Sequence, residues 1–405
     1  MPACRVCHSP VEPFIDFGRM PLANAFPTPD QFAGEYFFEL IAGYCPGCTL
    51  VQLVNQPQRE RMFNDRYPFF SSSSVRMASH FRQLAREVAE SYLPARDAFV
   101  VEIGSNDGTL LLPFAEAGIR HLGVEPSTSV AQAAEDRSVR TVSRFFDASL
   151  AKQIVAEQGQ AHAVIAANAL SHIDNLHSVV AGIKLLLAPG GVCVIEDPYW
   201  GDVVEQTAFD QIYDEHASYF TLSSVSYLFA QHDLAIVDVV PQAVHGGSLR
   251  YLIGHAGRRP VAEGVTQLLA KEQTIGLHRP ETFAAFRDRV SATGAALMAL
   301  LETLKRQRQR VVGYGATSKS TTTINHFGIT PGLVEFISDT TPAKQGTFSP
   351  GAHIPVRSHE EFAAAYPDRA LLFLWNHAAE VLAKEQAFAR AGGRWIVYVP
   401  RVEEL

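Results

Sequence analysis

The sequence has no long apolar run, no basic leader and no surplus of positive charge. None of its segments reaches the roughly eighteen consecutive apolar residues that a membrane-spanning helix needs. The first residues, MPACRVCHSP, lack the basic stretch and apolar core of a secretory signal. The 34 basic residues are outnumbered by 42 acidic ones, and the net charge of −8 disfavours a nucleic-acid scaffold. We therefore expect a soluble, cytoplasmic protein that binds neither membranes nor nucleic acid.

Cysteine is also scarce, but its placement is informative. Five cysteines in 405 residues are too few for a disulfide scaffold. Four of them form two CxxC pairs, Cys4 with Cys7 and Cys45 with Cys48, and two such pairs complete a closed tetrahedral ligand set. We expect a structural zinc ion, with iron and two unrelated reduced pairs as less favoured alternatives. Cys193 lies in an apolar segment and is expected to be a small buried side chain.

Length and pattern divide the chain into three parts. At about 150 residues per domain, the chain has room for two or three domains. We expect a cysteine-bearing module over residues 1–60, a helical lead-in and parallel doubly wound sheet over 61–258, and a helical linker with a second α/β unit over 259–405. The predicted fold class is α/β, with a Cys4 zinc module and two Rossmann-like domains. The predicted strands of the central part are AFVVEIG, HLGVEP, AHAVIAAN, GGVCVIEDP and a terminal hairpin of LAIVDVVPQ with SLRYLIGHA.

The segment VVEIGSNDGTLL combines a tight turn with acidic residues. A nicotinamide-binding loop reads GxGxxG and receives a pyrophosphate, whereas Gly104 and Gly108 are spaced GxxxG with Asp107 between them. Negative charge suits a ligand with a positive centre, such as S-adenosylmethionine, and Glu125 ends the next strand where a carboxylate binds ribose hydroxyls. The alternative is an ordinary tight turn with capping carboxylates. The predicted cofactor-binding residues are Glu102, Gly104, Ser105, Asn106, Asp107, Glu125 and Asn168.

Several motifs recur in a fixed order along the chain: CRVC…CPGC with IDFGRMPLANAF between its halves, EIGSNDG, YDEHASYF and GYGATSKS. Together they cover essentially the whole chain and resemble the nucleotide-sugar C-methyltransferases, typified by tetronitrose C-methyltransferase. The resemblance implies a zinc module, a central S-adenosylmethionine-dependent domain and a C-terminal Rossmann-like domain, with the substrate in the cleft between domains. It implies methylation of a sugar carbon, usually C-3, beside the 4-keto group of a thymidine diphosphate-linked deoxysugar. The matching active-site positions are Tyr67, His172, Tyr213, Glu215 and His216.

The chemistry of C-methylation suggests a role for each of these residues. A carbon accepts a methyl group after losing a proton, so a base must lie near the carbon and donors near the enolate oxygen. His216 is the predicted base because the ordinary pKa of histidine is close to working pH. Tyr213 and Tyr67 would donate to the enolate oxygen or the phosphates. Glu215 would orient a histidine or bind a hydroxyl, and His172 would lie near the methyl group, although a structural role is an open alternative for both.

The second glycine loop, VVGYGATSKS, is typical of a phosphate-binding turn. It contains Gly313 and Gly315 but lacks the GK[ST] ending of an ATP-hydrolysing P-loop. Backbone amides with Ser318 and Lys319 would hold the pyrophosphate of the sugar nucleotide, and Arg250 in HGGSLR would add charge to the cleft wall. The alternative is a degenerate Rossmann turn that only packs.

Other functions are consistent with parts of this pattern. An O- or N-methyltransferase of a nucleotide sugar would need a base but no enolate. A non-catalytic S-adenosylmethionine sensor with a zinc module is disfavoured by Tyr213, Glu215 and His216, and a dehydrogenase by the absence of GxGxxG. We therefore expect an enzyme with S-adenosylmethionine and structural zinc as cofactors and a nucleotide-diphosphate sugar as substrate. We expect a monomer, with weak oligomerisation as the open alternative.

Overall fold

The computed structural model describes residues 2–63, 70–94 and 96–405, and its elements fall into three successive sections. The first section contains β1 (Glu12–Pro21), β2 (Phe37–Tyr44), β3 (Val51–Leu53) and α1 (Arg59–Met62). The second section contains α2 (Val75–Tyr92), β4 (Phe99–Ile103), α3 (Leu112–Glu116), β5 (Arg120–Val124), α4 (Thr128–Glu135), β6 (Thr141–Val142), α5 (Ala148–Gln158), β7 (Ala161–Ala167), α6 (Leu176–Leu186), β8 (Leu187–Pro198), α7 (Trp200–Gln206), β9 (Ser218–Tyr219), α8 (Leu222–Ala230), β10 (Leu234–Gln242) and β11 (Ser248–His255). The third section contains α9 (Glu263–Ile275), α10 (Pro280–Arg306), β12 (Val311–Tyr314), α11 (Ser318–Phe327), β13 (Ile337–Ser338), β14 (Val356–Arg357), α12 (His359–Ala364), β15 (Arg369–Leu372), α13 (Ala378–Lys384), α14 (Gln386–Arg390), β16 (Arg394–Val397) and β17 (Glu403–Glu404).

The second section is built around a seven-stranded sheet in the order β10-β11-β8-β7-β4-β5-β6. Strands β4 to β8 are parallel, and β11 runs antiparallel to both of its neighbours, so the predicted strands and terminal hairpin are confirmed. Helices cover both faces: Val101 of β4 belongs to a cluster with Leu150 of α5, and Val100 belongs to another with Phe81 of α2. The strand order reverses between β4 and β7, which opens a ligand crevice at their carboxyl ends.

The third section has a six-stranded sheet in the order β14-β13-β12-β15-β16-β17. Its first five strands are parallel, and β17 is antiparallel to β16. The segment LVEFISDT contributes only the two residues of β13, because Asp339 accepts a hydrogen bond from the backbone N–H of Thr341 and turns the chain. The sheet confirms the predicted second Rossmann-like unit.

The first section shares its sheet and its apolar core with the other two sections. Its antiparallel sheet has the order β1-β2-β3-β9, so a strand of the second section completes it. Phe14 of β1 lies 4.9 Å from Phe283 of α10 and 5.8 Å from Trp200 of α7, measured between ring centroids. One apolar cluster therefore joins all three sections. None of the helices in the described ranges, including the 27-residue α10, is apolar enough over sufficient length to cross a membrane.

Candidate active site

A cleft of about 1640 Å³ opens where the three sections meet. Asn24 of the first section, Asn168 of the second and Lys319 of the third lie on its walls. Sites for one small ligand usually enclose about 300–1,000 Å³, so this cleft has room for two ligands.

The first glycine loop follows β4 and forms one wall of the cleft. Gly104 has φ of +71°, and a Cβ atom there would lie 2.6 Å from that of Ala169, so the position requires glycine. The backbone N–H of Asn106 donates to Glu125 Oε2 at 3.1 Å, and that of Ser127 donates to Oε1 at 2.9 Å. Glu125 is thus fixed beside the loop by two backbone donors, as a ribose-binding carboxylate needs to be.

Three of the predicted cofactor residues, Glu102, Ser105 and Asp107, have buried side chains and do not line the cleft. The Asp107 carboxylate accepts hydrogen bonds from the backbone N–H of Ser72 at 3.0 Å and from Thr109 Oγ1 at 2.6 Å. Burial, with the nearby charges of Asp107 and Glu125, raises the pKa of Glu102 well above its ordinary value. Ser105 is buried as well. These residues support the loop, whereas Gly104, Asn106, Glu125 and Asn168 line the cleft.

Asn168 follows β7 at the point where the strand order reverses. Its backbone has φ of +54°, and its N–H donates to the carbonyl oxygen of Glu196 at 2.6 Å. The side-chain Oδ1 is buried and has no hydrogen-bond partner among the described residues. A buried polar atom on a cleft wall needs a partner, and a ligand with hydroxyl or amino groups would provide one. The residues of this wall therefore fit S-adenosylmethionine.

The predicted base occupies a buried position between the two glycine loops. His216 Nδ1 lies 2.9 Å from the carbonyl oxygen of Gln211, which can only accept, so Nδ1 carries the ring proton. Burial, more than any nearby charge, lowers the pKa of His216 well below its ordinary value. The ring is therefore neutral, and Nε2 accepts a hydrogen bond from the Tyr213 hydroxyl at 2.8 Å.

His172 lies beside this base, with its ring centroid 5.1 Å from that of His216. It ends a short turn after β7, where Ser171 donates to the buried Asp197 carboxylate through its hydroxyl at 2.6 Å. Burial lowers the pKa of His172 to about 4, so its ring is also neutral. Tyr67 lies outside the described residues.

Glu215 and its neighbour Asp214 connect the cleft to the first section. Glu215 Oε1 accepts a hydrogen bond from Asn24 Nδ2 at 2.6 Å, and Asp214 Oδ1 accepts one from the backbone N–H of Ala23 at 3.1 Å. Both carboxylates are buried on the cleft wall. The segment IDFGRMPLANAF thereby contributes Asn24 to the site.

The second glycine loop repeats the hydrogen-bond arrangement of the first. Asp339, just after β13, accepts from the backbone N–H of Ala316 and from that of Thr341, both at 2.7 Å. Glu125 makes the same two bonds, to its loop and to the residue two positions ahead. Sequence reasoning missed Asp339, although an acidic residue at the end of the second strand of a Rossmann-like unit is the same signal that identified Glu125.

Two partly buried lysines face the cleft at this second loop. Lys319 and Ser318, the predicted substrate-binding residues, both lie on the cleft wall at the N-terminus of α11. Lys319 Nζ lies 3.5 Å from Asn376 Oδ1. Lys344, which sequence reasoning missed, donates from Nζ to the carbonyl oxygen of Ala316 at 2.7 Å. Burial lowers the pKa of both lysines because it disfavours their charged form, and a bound anion would stabilise that charged form.

Arg250 does not lie where the sequence suggested. Its Nε donates to Glu196 at 2.9 Å and its guanidinium nitrogen to Glu87 at 2.6 Å. These carboxylates hold the charge between β8 and α2, away from the residues that line the cleft. The HGGSLR segment reaches the cleft through His245 instead.

The four paired cysteines form a separate, closed site. Their sulfur atoms lie within 4.8 Å of one another, with Cys4 and Cys48 at 3.5 Å and Cys7 and Cys45 at 3.2 Å. Zinc at about 2.3 Å from each thiolate requires sulfur separations of about 3.8 Å, so the set fits a tetrahedral zinc ion. Cys193 is buried apart from them in β8. The zinc is structural, because four thiolates leave no open coordination position.

Known family models match successive parts of the chain, and one relative matches nearly all of it. The chain matches a zinc-binding domain family over residues 4–63, a methyltransferase domain family over 77–239 and a C-methyltransferase C-terminal domain family over 243–400. It is 35% identical to C-methyltransferase NovU of Streptomyces niveus over 400 residues, 98% of this chain and 95% of that protein. Among solved structures, the CcbJ methyltransferase of Streptomyces caelestis is 16% identical, with 44% of this chain and 90% of that chain covered and a TM-score of 0.34. Magnesium protoporphyrin IX methyltransferase of Synechocystis is 15% identical, with 45% and 82% covered and a TM-score of 0.34.

Proposed function

The chain belongs to the S-adenosylmethionine-dependent C-methyltransferases, and from this membership we propose that it methylates C-3 of a thymidine diphosphate-linked 4-keto-deoxysugar through an enolate. The observation that carries the proposal is the position of His216. Its unprotonated Nε2 lies in a cleft that an acidic glycine loop and two partly buried lysines also line. Residues 61–258 would hold the cofactor, and residues 259–405 the nucleotide.

The cofactor wall supports this assignment through its polar atoms. S-adenosylmethionine, when bound, supplies an electrophilic methyl group. Glu125 would accept hydrogen bonds from the ribose hydroxyls, since its oxygens are already oriented by two backbone donors. The unpartnered Oδ1 of Asn168 would accept from the amino group, and Gly104 lets the ligand approach the backbone closely.

The proton transfer follows from the hydrogen bonds of His216. The Tyr213 hydroxyl would first turn from Nε2 to the keto oxygen of the substrate, because it occupies the single lone pair of Nε2. Nε2 would then take the C-3 proton, because Nδ1 is already protonated and held by Gln211. Tyr213 would keep its hydrogen bond to the oxygen as the enolate forms, and Nε2 would release the proton to water after methyl transfer. Burial raises the pKa of Tyr213 well above its ordinary value, so the phenol stays a donor.

The nucleotide wall would bind the diphosphate. Lys319 and Lys344 would supply positive charge, and the backbone N–H groups at the start of α11 would donate to phosphate oxygens. Thr317 caps this helix by accepting from the backbone N–H of Ser320, which fixes the direction of the first turn. Asp339 holds the loop in place through Ala316.

The experiment is a turnover assay with defined product analysis. The enzyme is incubated with S-adenosylmethionine and a thymidine diphosphate-linked 4-keto-deoxysugar, and the product is examined by mass spectrometry and NMR. We expect one added methyl group on C-3 and no product without the cofactor. A methyl group on oxygen or nitrogen would favour the O- or N-methyltransferase alternative. Absence of turnover with every sugar nucleotide tested would overturn the proposed substrate class.

A further inference from the structure

His245 is a cleft residue that the proposed mechanism does not use. It lies in the turn that joins β10 to β11, and it lines the same cleft as His216. Its Nε2 is buried and has no hydrogen-bond partner within residues 2–63, 70–94 and 96–405. Buried polar atoms of folded proteins are nearly always paired, so an unpaired ring nitrogen on a cleft wall indicates a ligand that completes the pairing.

The backbone of this turn has an uncommon conformation. His245, Gly246 and Gly247 have successive φ values of +54°, +86° and +119°. A residue with a side chain seldom adopts positive φ, and such strain is concentrated at ligand sites. Gln206 Nε2 donates to the carbonyl oxygen of Gly246 at 2.5 Å and holds the turn in this conformation. The direction in which the His245 side chain leaves the backbone is therefore fixed.

One glutamine connects this turn to the proposed base. Gln211 donates from Nε2 to the carbonyl oxygen of His245. The carbonyl oxygen of Gln211 accepts from His216 Nδ1 at 2.9 Å. Both histidines are thus anchored to the same residue, and a substrate whose C-3 atom reaches His216 brings its sugar ring close to His245.

The same turn also borders the lysine side of the cleft. A Cβ atom on Gly246 would lie 2.5 Å from Cη2 of Trp375, so the turn packs directly on that indole. Lys319 Nζ lies 5.9 Å from the centroid of the same ring. His245 is therefore linked to the base on one side and to the proposed diphosphate site on the other. The sugar of the substrate joins the reacting carbon to the diphosphate, so it has to span the same interval.

The charge state of His245 suits a neutral group of the ligand. Burial lowers the pKa of His245 to about 3, so the ring is neutral near neutral pH. A neutral imidazole has one nitrogen that donates and one that accepts, which matches a hydroxyl or amino group. A phosphate accepts hydrogen bonds only and favours cations such as the two lysines.

We propose that His245 is a substrate-binding residue, which hydrogen-bonds a hydroxyl or amino group of the sugar ring. The inference rests on the proposed function, because it takes His216 as the base and Lys319 as a ligand of the diphosphate. It assigns His245 to the sugar alone, so a nucleoside diphosphate without a sugar should gain nothing from this side chain.

The test compares two ligands by calorimetry in the presence of S-adenosylhomocysteine. They are thymidine diphosphate and a thymidine diphosphate-linked 4-keto-deoxysugar that bears a hydroxyl group. His245→Asn removes the imidazole and introduces a residue that also tolerates positive φ. The shorter amide does not reach the group that the imidazole binds. We expect the Kd of the sugar nucleotide to rise about tenfold and that of thymidine diphosphate to change less than about twofold.

Matched variants separate loss of the contact from damage to the turn. His245→Gly is titrated in the same way, because glycine adopts positive φ without strain and one folding failure then does not decide the result. His255→Asn alters a histidine at the far end of β11, whose Nε2 is paired with the Leu187 carbonyl oxygen at 3.2 Å. It should bind both ligands as the wild type does. Binding of S-adenosylhomocysteine alone reports that each variant is folded.

The outcomes distinguish this inference from the proposed function. If His245→Asn and His245→Gly bind the sugar nucleotide as the wild type does, the contact is overturned, and methylation of C-3 by the wild type still stands. Equal losses of affinity for both ligands would also overturn it, because they would assign His245 to the diphosphate. If the wild type neither binds nor methylates the sugar nucleotide, the proposed function fails and the inference fails with it.

Discussion

The two glycine loops of this protein share a hydrogen-bond arrangement and differ in charge. Glu125 and Asp339 each follow the second strand of their unit, and each bridges a loop N–H and the N–H two residues ahead. Glu102 and Asp107 lie buried behind the first loop, whereas the second loop has Lys319 on its helix and a nearby lysine that contacts its backbone. Backbone geometry therefore fixes the loops alike, and buried charges decide which ligand each one favours.

The opposite charges suit the cofactor and the proposed substrate. A loop supported by carboxylates favours the positive sulfonium and amino groups of S-adenosylmethionine, and a loop with two partly buried lysines would favour the proposed diphosphate. His216 lies in the same cleft, and the carbonyl oxygen that orients its ring belongs to Gln211, which is part of neither loop. Binding of each ligand and the chemical step should therefore be separable by substitution.

The largest effect is expected from His216→Asn. The variant keeps some hydrogen bonding but cannot accept the C-3 proton, so turnover should fall about a hundredfold or more. Binding of S-adenosylhomocysteine and thymidine diphosphate should stay within about threefold of the wild type, since neither loop is altered. His255→Asn, on β11 and outside the cleft wall, serves as the control and should keep full turnover. Equal turnover in the two variants would contradict the assignment of the base.

The loops themselves should respond in a crossed pattern. Glu125→Ala should weaken S-adenosylhomocysteine binding about tenfold or more and leave thymidine diphosphate binding nearly unchanged, because the lost carboxylate faces one ligand only. Lys319→Ala should do the reverse. Calorimetry with both ligands on both variants measures the pattern. Parallel losses for both ligands in either variant would show that the residue supports the fold instead.

The pH dependence should separate the base from an ordinary histidine. Burial and positive neighbours lower the pKa of His216, so its neutral form persists until pH falls through that lowered value. The rate constant kcat/KM should therefore show no acid limb near pH 6.5, the ordinary value for histidine. A rate profile between about pH 5 and pH 8, with circular dichroism to monitor folding, provides the measurement. An acid limb centred near pH 6.5 would contradict a base in this buried environment.

The smallest effect on chemistry is expected from the zinc site, which contacts neither loop. Cys45→Ser should release about one zinc per chain and lower the melting temperature by roughly 5 °C or more, while the folded fraction keeps its turnover. Metal analysis and thermal unfolding measure these changes. Cys193→Ser, a buried cysteine outside the cluster, should retain the metal. Unchanged metal content in Cys45→Ser would contradict a Cys4 site.

Local patterns predicted most of the architecture, because a short segment of sequence is enough to indicate an apolar strand or a glycine turn. The single strands, the glycine turns and each CxxC pair follow from short local patterns, and their order along the chain indicated the two Rossmann-like units and the zinc site. Contacts between distant segments could not be predicted in this way. Arg250 is held by Glu196, which lies opposite it in the register of β11 with β8, and by Glu87 of helix α2.

The cleft residues show a similar division. Motifs identified His216 and Glu125, but they did not separate the residues that line the cleft from those behind the loop, such as Asp107. Asn24 lies in the motif IDFGRMPLANAF, to which sequence reasoning assigned no chemical role, and Lys344 lies in a segment without a recognised motif. Both residues reach the cleft because the three sections pack together. That packing depends on one apolar cluster with residues from all three sections, so no single segment predicts it.

The central claim is that His216 removes a proton from the sugar carbon before methylation, and isotope exchange tests it most directly. A thymidine diphosphate-linked 4-keto-deoxysugar is incubated with the enzyme in deuterium oxide, with S-adenosylhomocysteine in place of the methyl donor, and deuterium at C-3 is followed by NMR. The account predicts exchange at C-3 with the wild type and at least about a hundredfold slower exchange with His216→Asn. Exchange at the wild-type rate in the variant, or no exchange at C-3 with the wild type, would contradict it.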